Sequence, residues 1–241
     1  MGPVVQLSRF KKRTLKTFYR FYDLVSDGDK YIRYSYYHNG YHNPNYEFGK
    51  DQIAFLHIPK TGGSSLAKML VNDPEDRFIN LNIHKPVANK CQPKDFRYLT
   101  VMRDPVDRVW SYYQMVLRSP EGYPYLNFAK KGLAHFLEKC WAARNLSCRY
   151  IAGSVEPEPT KETLQQAQQN LDSFYAVLAF AHFQDEVSGF MQRHSIPFEL
   201  IPNERKSTYA QPSRAEIELI KGYNQLDTML FDYWKNNRSD K

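Results

Sequence analysis

Residues 60–65, Lys-Thr-Gly-Gly-Ser-Ser, follow at once on an apolar run, Ile53 to Ile58, that stops at Pro59. Two glycines let a backbone curl until successive amide N–H groups point into one concavity. A helix starting there adds its unpaired first N–H groups and the positive end of its dipole, so the turn attracts an oxyanion. Ser64 and Ser65 supply hydroxyl donors and Lys60 a mobile point charge. The chemistry implied is the holding of a phosphate-like group; an ordinary Gly-rich turn is the plainer alternative. The nucleotide-triphosphate loop carries its lysine after the glycines, GxxxxGK and then Ser or Thr. Here the lysine comes first, and GxGxxG is absent as well.

A second stretch, YLTVMRDPVDRVWSYY, has the same grammar of strand, charge cluster and helix. Arg103 ends the strand, Asp104 suits the cap and Pro105 the first helical turn. Ser111 lies eight positions after Arg103. That is about two helical turns, so both side chains can face one anion. The competing reading is an Asp104–Arg108 helix pair with Arg103 closing a surface salt bridge.

These segments need a scaffold, and the hydrophobic periodicity supplies one. QIAFLHI reads as a buried strand, with a helix over 63–71. RYLTVM (97–102) is a second strand, followed by a helix from Pro105 to Leu117. Helical spacing returns over 133–143 and 161–171. FYAVLAF (174–180) reads as a third strand, 185–194 as a helix and FELIP (198–202) as a short strand. A long helix from Arg214 to Lys235 closes the chain. Strands alternating with helices predict an α/β fold: a single domain with a mostly parallel central sheet flanked by helices. In such sheets ligands bind at the carboxyl ends of strands, where both charged stretches sit.

The chain has 241 residues, 42% hydrophobic and 24% charged, enough for a sizeable core. Domain organisation is read as a basic, Tyr-rich extension over 1–50, packed on the body, and a main domain over 51–241. Within the extension, residues 7–25 have the spacing of a basic amphipathic helix, docked on the body or touching a membrane surface. No segment approaches the ~20 apolar residues of a membrane span, and the first residues lack a secretory signal, so the chain as it stands is expected in the cytoplasm. Removal of an N-terminal anchor would instead imply the Golgi lumen. Cys91, Cys140 and Cys148 show no paired spacing and are expected as buried thiols. The formal charge of +7 favours anionic partners. Asn145-Leu146-Ser147 and Asn237-Arg238-Ser239 fit glycosylation sequons.

Taken together, HIPKTGGSS and RDPVDRVWSYY resemble the two nucleotide-binding motifs of sulfotransferases that use 3′-phosphoadenosine-5′-phosphosulfate. The resemblance is greatest to the carbohydrate branch, above all the heparan sulfate 6-O-sulfotransferases. It spans roughly residues 52 to 237 and includes AQQNLDSFYAVLAFAHFQDEVSGF and NQLDTMLFDYWK. It implies a P-loop-like turn in which Lys60, Thr61, Gly62, Gly63, Ser64 and Ser65 cradle the 5′-phosphosulfate. Arg103 and Ser111 would bind the 3′-phosphate, and a late loop, NERKST, would add Arg205 and Ser207. A histidine between the motifs serves the 6-O branch as base; that interval holds His84, with His57 as the alternative. Lys60 would also meet charge on the leaving group. The implied donor is 3′-phosphoadenosine-5′-phosphosulfate and the product 3′-phosphoadenosine-5′-phosphate, without a metal. The implied acceptor is a carbohydrate, including anionic polysaccharides, and not nucleic acid. The interval between the motifs is much shorter than in the 6-O branch, and most of that branch's cysteines are missing. Two other classes compete: a kinase-like nucleotide-dependent transferase, and a non-catalytic binder of anionic glycans.

Overall fold

Ile53-Ala54-Phe55-Leu56 is buried at every position, as a strand covered on both faces must be. In the computed structural model of the chain, which describes residues 53–70, 72–75, 77–80, 97–154, 156, 158–199 and 210–238, this segment is β1 (Ile53–Leu56). It lies in a four-stranded sheet of order β2-β1-β3-β4, with β2 Phe78–Asn80, β3 Arg97–Met102 and β4 Ala176–Ala179. All three pairings are parallel. The fold is α/β, as the alternation of periods implies.

Nine helices accompany the strands among the described residues: α1 Gly63–Leu70, α2 Pro105–Leu117, α3 Leu126–Ala129, α4 Leu133–Lys139, α5 Leu146–Ala152, α6 Lys161–Asp172, α7 Phe183–Arg193, α8 Arg214–Tyr223 and α9 Gln225–Asn237. Short 3₁₀ turns cover Trp141–Ala143 and Phe180–His182. Phe55, Leu66, Leu99, Leu178, Val187 and Phe190 form the heart of the core, joining β1, β3 and β4 to α1 and α7. The sheet's centre is the β1–β3 pair, in register from Ile53↔Arg97 to Leu56↔Thr100. Thr100 stiffens it by donating its hydroxyl to the Leu56 carbonyl at 2.9 Å.

The described residues divide into two compact units, one of residues 113–143 and one of the remainder. The smaller is a run of short helices held by its own contacts. Tyr113 packs on Phe136, ring centroids 5.3 Å apart, and donates its hydroxyl to the Ala129 carbonyl. The extension over 1–50 lies outside the described residues. Cys140 and Cys148 are buried free thiols; Cys91 is outside the description.

The C-terminal helix is interrupted at Asn224, where one helix was expected. The cause is tertiary. Asn145, itself left-handed at φ 43°, accepts from the Leu226 and Asp227 amides through Oδ1 at 3.0 and 3.1 Å, capping α9. Asp227 returns the favour to α5, accepting from the Ser147 and Cys148 amides at 3.1 and 2.7 Å. Asn224 Oδ1 accepts the Asn145 amide at 2.8 Å. Two helix N-termini thus meet and cap each other, which satisfies donors that have no partner inside their own helices. The Asp227 carboxylate also faces the wholly buried Arg108 at 3.6 Å. Arg108 is therefore not engaged in the Asp104 helix pair that its spacing allows. Arg149, equally buried, donates to the Arg144 carbonyl at 3.0 Å. Burial pulls its pKa down to about 10 against the opposing pull of Asp227.

The Asn145 side-chain nitrogen, the atom a glycan would occupy, donates to the Tyr223 carbonyl at 3.3 Å, so in the folded chain this sequon serves as a cap. Asn145→Ala should lower the unfolding free energy by about 2 kcal/mol, the upper end for a lost cap, because both α9 amides lose their acceptor. Urea denaturation of the variant beside wild type measures this.

Candidate functional site at the ends of β1 and β3

Because β1 and β3 are adjacent and parallel, their carboxyl ends open at one edge of the sheet. β1 leaves the sheet through Pro59, Lys60, Thr61 and Gly62, and α1 begins at Gly63. Lys60 and Gly62 both take left-handed backbone angles, φ 71° and 83°. For glycine this costs nothing; for lysine it costs roughly 1–2 kcal/mol, so neighbouring contacts must hold it.

Two hydrogen bonds do so. Thr61, buried, donates its hydroxyl to the Ile58 carbonyl at 2.8 Å. Arg103 Nη1, from the end of β3, donates to the Lys60 carbonyl at 2.9 Å. The Gly62 carbonyl then accepts from the Ser65 and Leu66 amides at 3.1 and 3.3 Å, which starts α1. The amides of Gly63 and Ser64 lie in the first turn of α1 and have no carbonyl of their own helix below them. Ser64 is exposed, while Lys60 and Ser65 are partly exposed, so this end of α1 meets solvent with a cation beside it.

The glycines are also fixed by what packs against them. A Cβ on Gly62 would lie 2.8 Å from the Phe183 ring and 3.1 Å from the Phe180 ring. One on Gly63 would lie 2.0 Å from His57 Cδ2, well inside any tolerable contact. His57 is buried and stacks on Phe55, centroids 5.7 Å apart and planes 17° from parallel. Burial pushes its pKa down, so the imidazole is neutral at neutral pH. With its ring against Gly63 and only 5% of the residue exposed, His57 presents little surface to an acceptor molecule.

Beyond β3, Asp104 accepts from the Val106 and Asp107 amides at 2.8 and 3.2 Å and caps α2, with Pro105 in the first turn, as the residue types imply. Arg103 is partly buried, and its guanidinium carbon stands 4.1 Å over the Phe180 ring. Asp107 has its carboxyl pKa raised by burial, against the pull of Arg103. Ser111 lies further along α2, 6% exposed.

The structure therefore brings together Lys60, Thr61, Gly62, Gly63, Ser64 and Ser65 with Arg103. Ser111 sits on the helix that Arg103 introduces. His84, Arg205 and Ser207 lie outside the described residues. Thr61 differs from expectation in one respect, since its hydroxyl proton is committed to Ile58 within the turn. Phe180 ends the expected strand and Phe183 falls between that strand and the expected helix, so neither is among the candidate site residues. Their position directly after a strand of the same parallel sheet was the available signal.

Compared with protein-family models and with curated proteins, the chain matches none. No helix among the described residues is long and apolar enough to cross a membrane.

Gly63→Ala should cost about 1–3 kcal/mol, as overpacking does. Paired with His57→Ala it should cost less than the two single changes summed, by more than about 0.5 kcal/mol. Additive losses would show that the ring and the glycine do not share one space. Wild type should also lose stability as pH falls through about 6.5, because the unfolded histidine takes a proton that the buried one resists. His194, likewise depressed by burial and then by Arg77, Arg193 and Arg97, adds to that slope. Denaturant midpoints between pH 7.5 and 5 should fall less steeply once His57 is replaced.

Proposed function

We propose that the chain transfers a sulfuryl group from 3′-phosphoadenosine-5′-phosphosulfate to a hydroxyl of a carbohydrate acceptor. The observation that carries the reading is the meeting of its two charged motifs. Lys60 and Arg103, from sequence segments 43 positions apart, are joined at one sheet edge by the Arg103–Lys60 hydrogen bond. This supports one molecule with two anionic ends being held by both. The Lys60–Ser65 turn acts as the P-loop-like cradle. The N-terminal amides of α1, with Ser64, Ser65 and the Lys60 ammonium, hold the 5′ end. Arg103 and Ser111 hold the 3′-phosphate, with Arg205 and Ser207 closing over the nucleotide. Two glycines with rings against their Cβ positions fit this role, since the rings hold the turn backbone in place.

The reaction is an in-line displacement: a bond from the acceptor oxygen to sulfur forms as the bond from sulfur to the bridging phosphate oxygen breaks. By analogy with phosphoryl transfer, positioning and electrostatics do most of the work. Lys60 and the turn amides meet charge growing on the leaving phosphate, the class of contact worth about 3–4 kcal/mol where a single donor has been removed. The acceptor proton passes to His84, whose class of side chain titrates near neutrality. His57, sealed against Gly63, is the poorer choice. No step requires a metal. The charge of +7 suits an acidic polysaccharide as acceptor.

A thermal-shift screen should show stabilisation by 3′-phosphoadenosine-5′-phosphate above that by ATP or NAD; preference for ATP with Mg²⁺ would favour a kinase-like transferase and overturn the reading. In calorimetry, Arg103→Ala should weaken bisphosphate binding about ten- to a hundredfold, the worth of a charged hydrogen bond. Lys60→Ala should weaken binding and slow turnover. Lys60→Gly, which relaxes the left-handed strain, should be more stable than Lys60→Ala by about 1 kcal/mol yet equally impaired. His84→Ala should slow turnover about 10²–10⁴-fold while leaving bisphosphate affinity nearly intact.

A further inference from the structure

The geometry points to Phe180 as a positioning residue that sets preference for 3′-phosphorylated nucleotides, an inference that rests on the function proposed above. The β3–β4 register pairs Met102 with Ala179, so the next residues along, Arg103 and Phe180, leave the sheet side by side. The Arg103 guanidinium carbon lies 4.1 Å from the centre of the Phe180 ring, a cation–π distance. A planar guanidinium lying on a ring and tied at Nη1 to the Lys60 carbonyl keeps few orientations. The ring therefore decides where the rest of the fork points.

Phe183, one turn on, lies nearer the glycine turn. Its ring centroid is 5.9 Å from that of Phe180, and it makes the closer approach to Gly62, 2.8 Å against 3.1 Å. Two aromatic side chains from one short segment thus divide the work. Phe180 governs Arg103, and through it the 3′-phosphate. Phe183 governs the Gly62 turn, and through it the 5′ end. Both rings are apolar and bear no group that could take part in the transfer, so their effect shows in selectivity between ligands.

Calorimetry with adenosine 3′,5′-bisphosphate and adenosine 5′-monophosphate on the full chain tests the division. Phe180→Leu should lower bisphosphate affinity roughly five- to thirtyfold, the range of a desolvated cation–π contact, and change monophosphate affinity less than about twofold. Phe180→Trp should retain the wild-type ratio. Phe183→Leu should lower both affinities by a similar factor. Equal losses for both ligands in Phe180→Leu, or no loss at all, would overturn the role of Phe180 while leaving the proposed function intact. A wild-type chain that binds neither nucleotide would overturn the proposed function and this inference with it. Should Phe180→Leu fail to fold, Phe180→Met, flexible and lacking the ring, carries the same comparison.

Discussion

The hydrogen bond from the Arg103 guanidinium to the Lys60 carbonyl depends on the centre of the sheet and in turn organises the site. It exists because β1 and β3 are parallel neighbours in register, so that Leu56 pairs with Thr100 and the residues beyond both strands emerge at one edge. Displacing β3 by one residue would reverse every side chain's face and separate the two motifs. Thr100 resists such a slip, since its hydroxyl reaches the Leu56 carbonyl across the pair. The bond has a chemical consequence too. Arg103 supports the left-handed Lys60, so removing its side chain disturbs both motifs, and the effects of changing Lys60 and Arg103 together cannot be expected to add.

Away from the edge, placement of the helices rests on a buried electrostatic knot. The Asp227 carboxylate takes two amides of α5 and faces Arg108 of α2, while Asn145 takes two amides of α9. Carrying Arg108 and Arg149 fully buried is expensive unless carboxylate and carbonyl acceptors face them, and removing such an acceptor leaves an uncompensated buried charge. Since α2 is both the helix that follows Arg103 and the one that carries Arg108, the knot anchors the helix behind the site. It links α9 to the strand end that bears Arg103.

What was legible in the sequence follows from this physics. β1, β3, α1 and α2 could be read to within a residue or two, because strands buried on both faces are apolar runs, and Gly62, Asp104 and Pro105 mark where helices begin. β2 escaped notice because three residues, Phe-Ile-Asn, carry no period. The break at Asn224 escaped because the apolar stripe runs on through it; the interruption is imposed by Asn145, 79 positions away, and no local signal carries it. Of the segment expected as a strand over 198–202, residues 198 and 199 have no regular structure, and the rest lies outside the description. At the site, charged and glycine residues announced themselves by type. Phe180 and Phe183 did not, since an aromatic beside a strand usually reads as core.

Those two rings and the His57 imidazole change what the glycine pair means. A Gly-Gly step is ordinarily explained by backbone freedom, yet only Gly62 has a positive φ. Gly63 is glycine because an imidazole occupies the place of its side chain. The turn is thus walled by Phe180 and Phe183 over one glycine and His57 over the next, with Phe55 behind the imidazole. Aromatic walls exclude water from one side of the turn, so charges there are screened less than they would be with water on every side. On the reading proposed here, the same packing that forbids a methyl group at Gly63 also strengthens the grip on the nucleotide. Stability of the turn and strength of the site then have one cause, and a substitution that loosens the rings should weaken both.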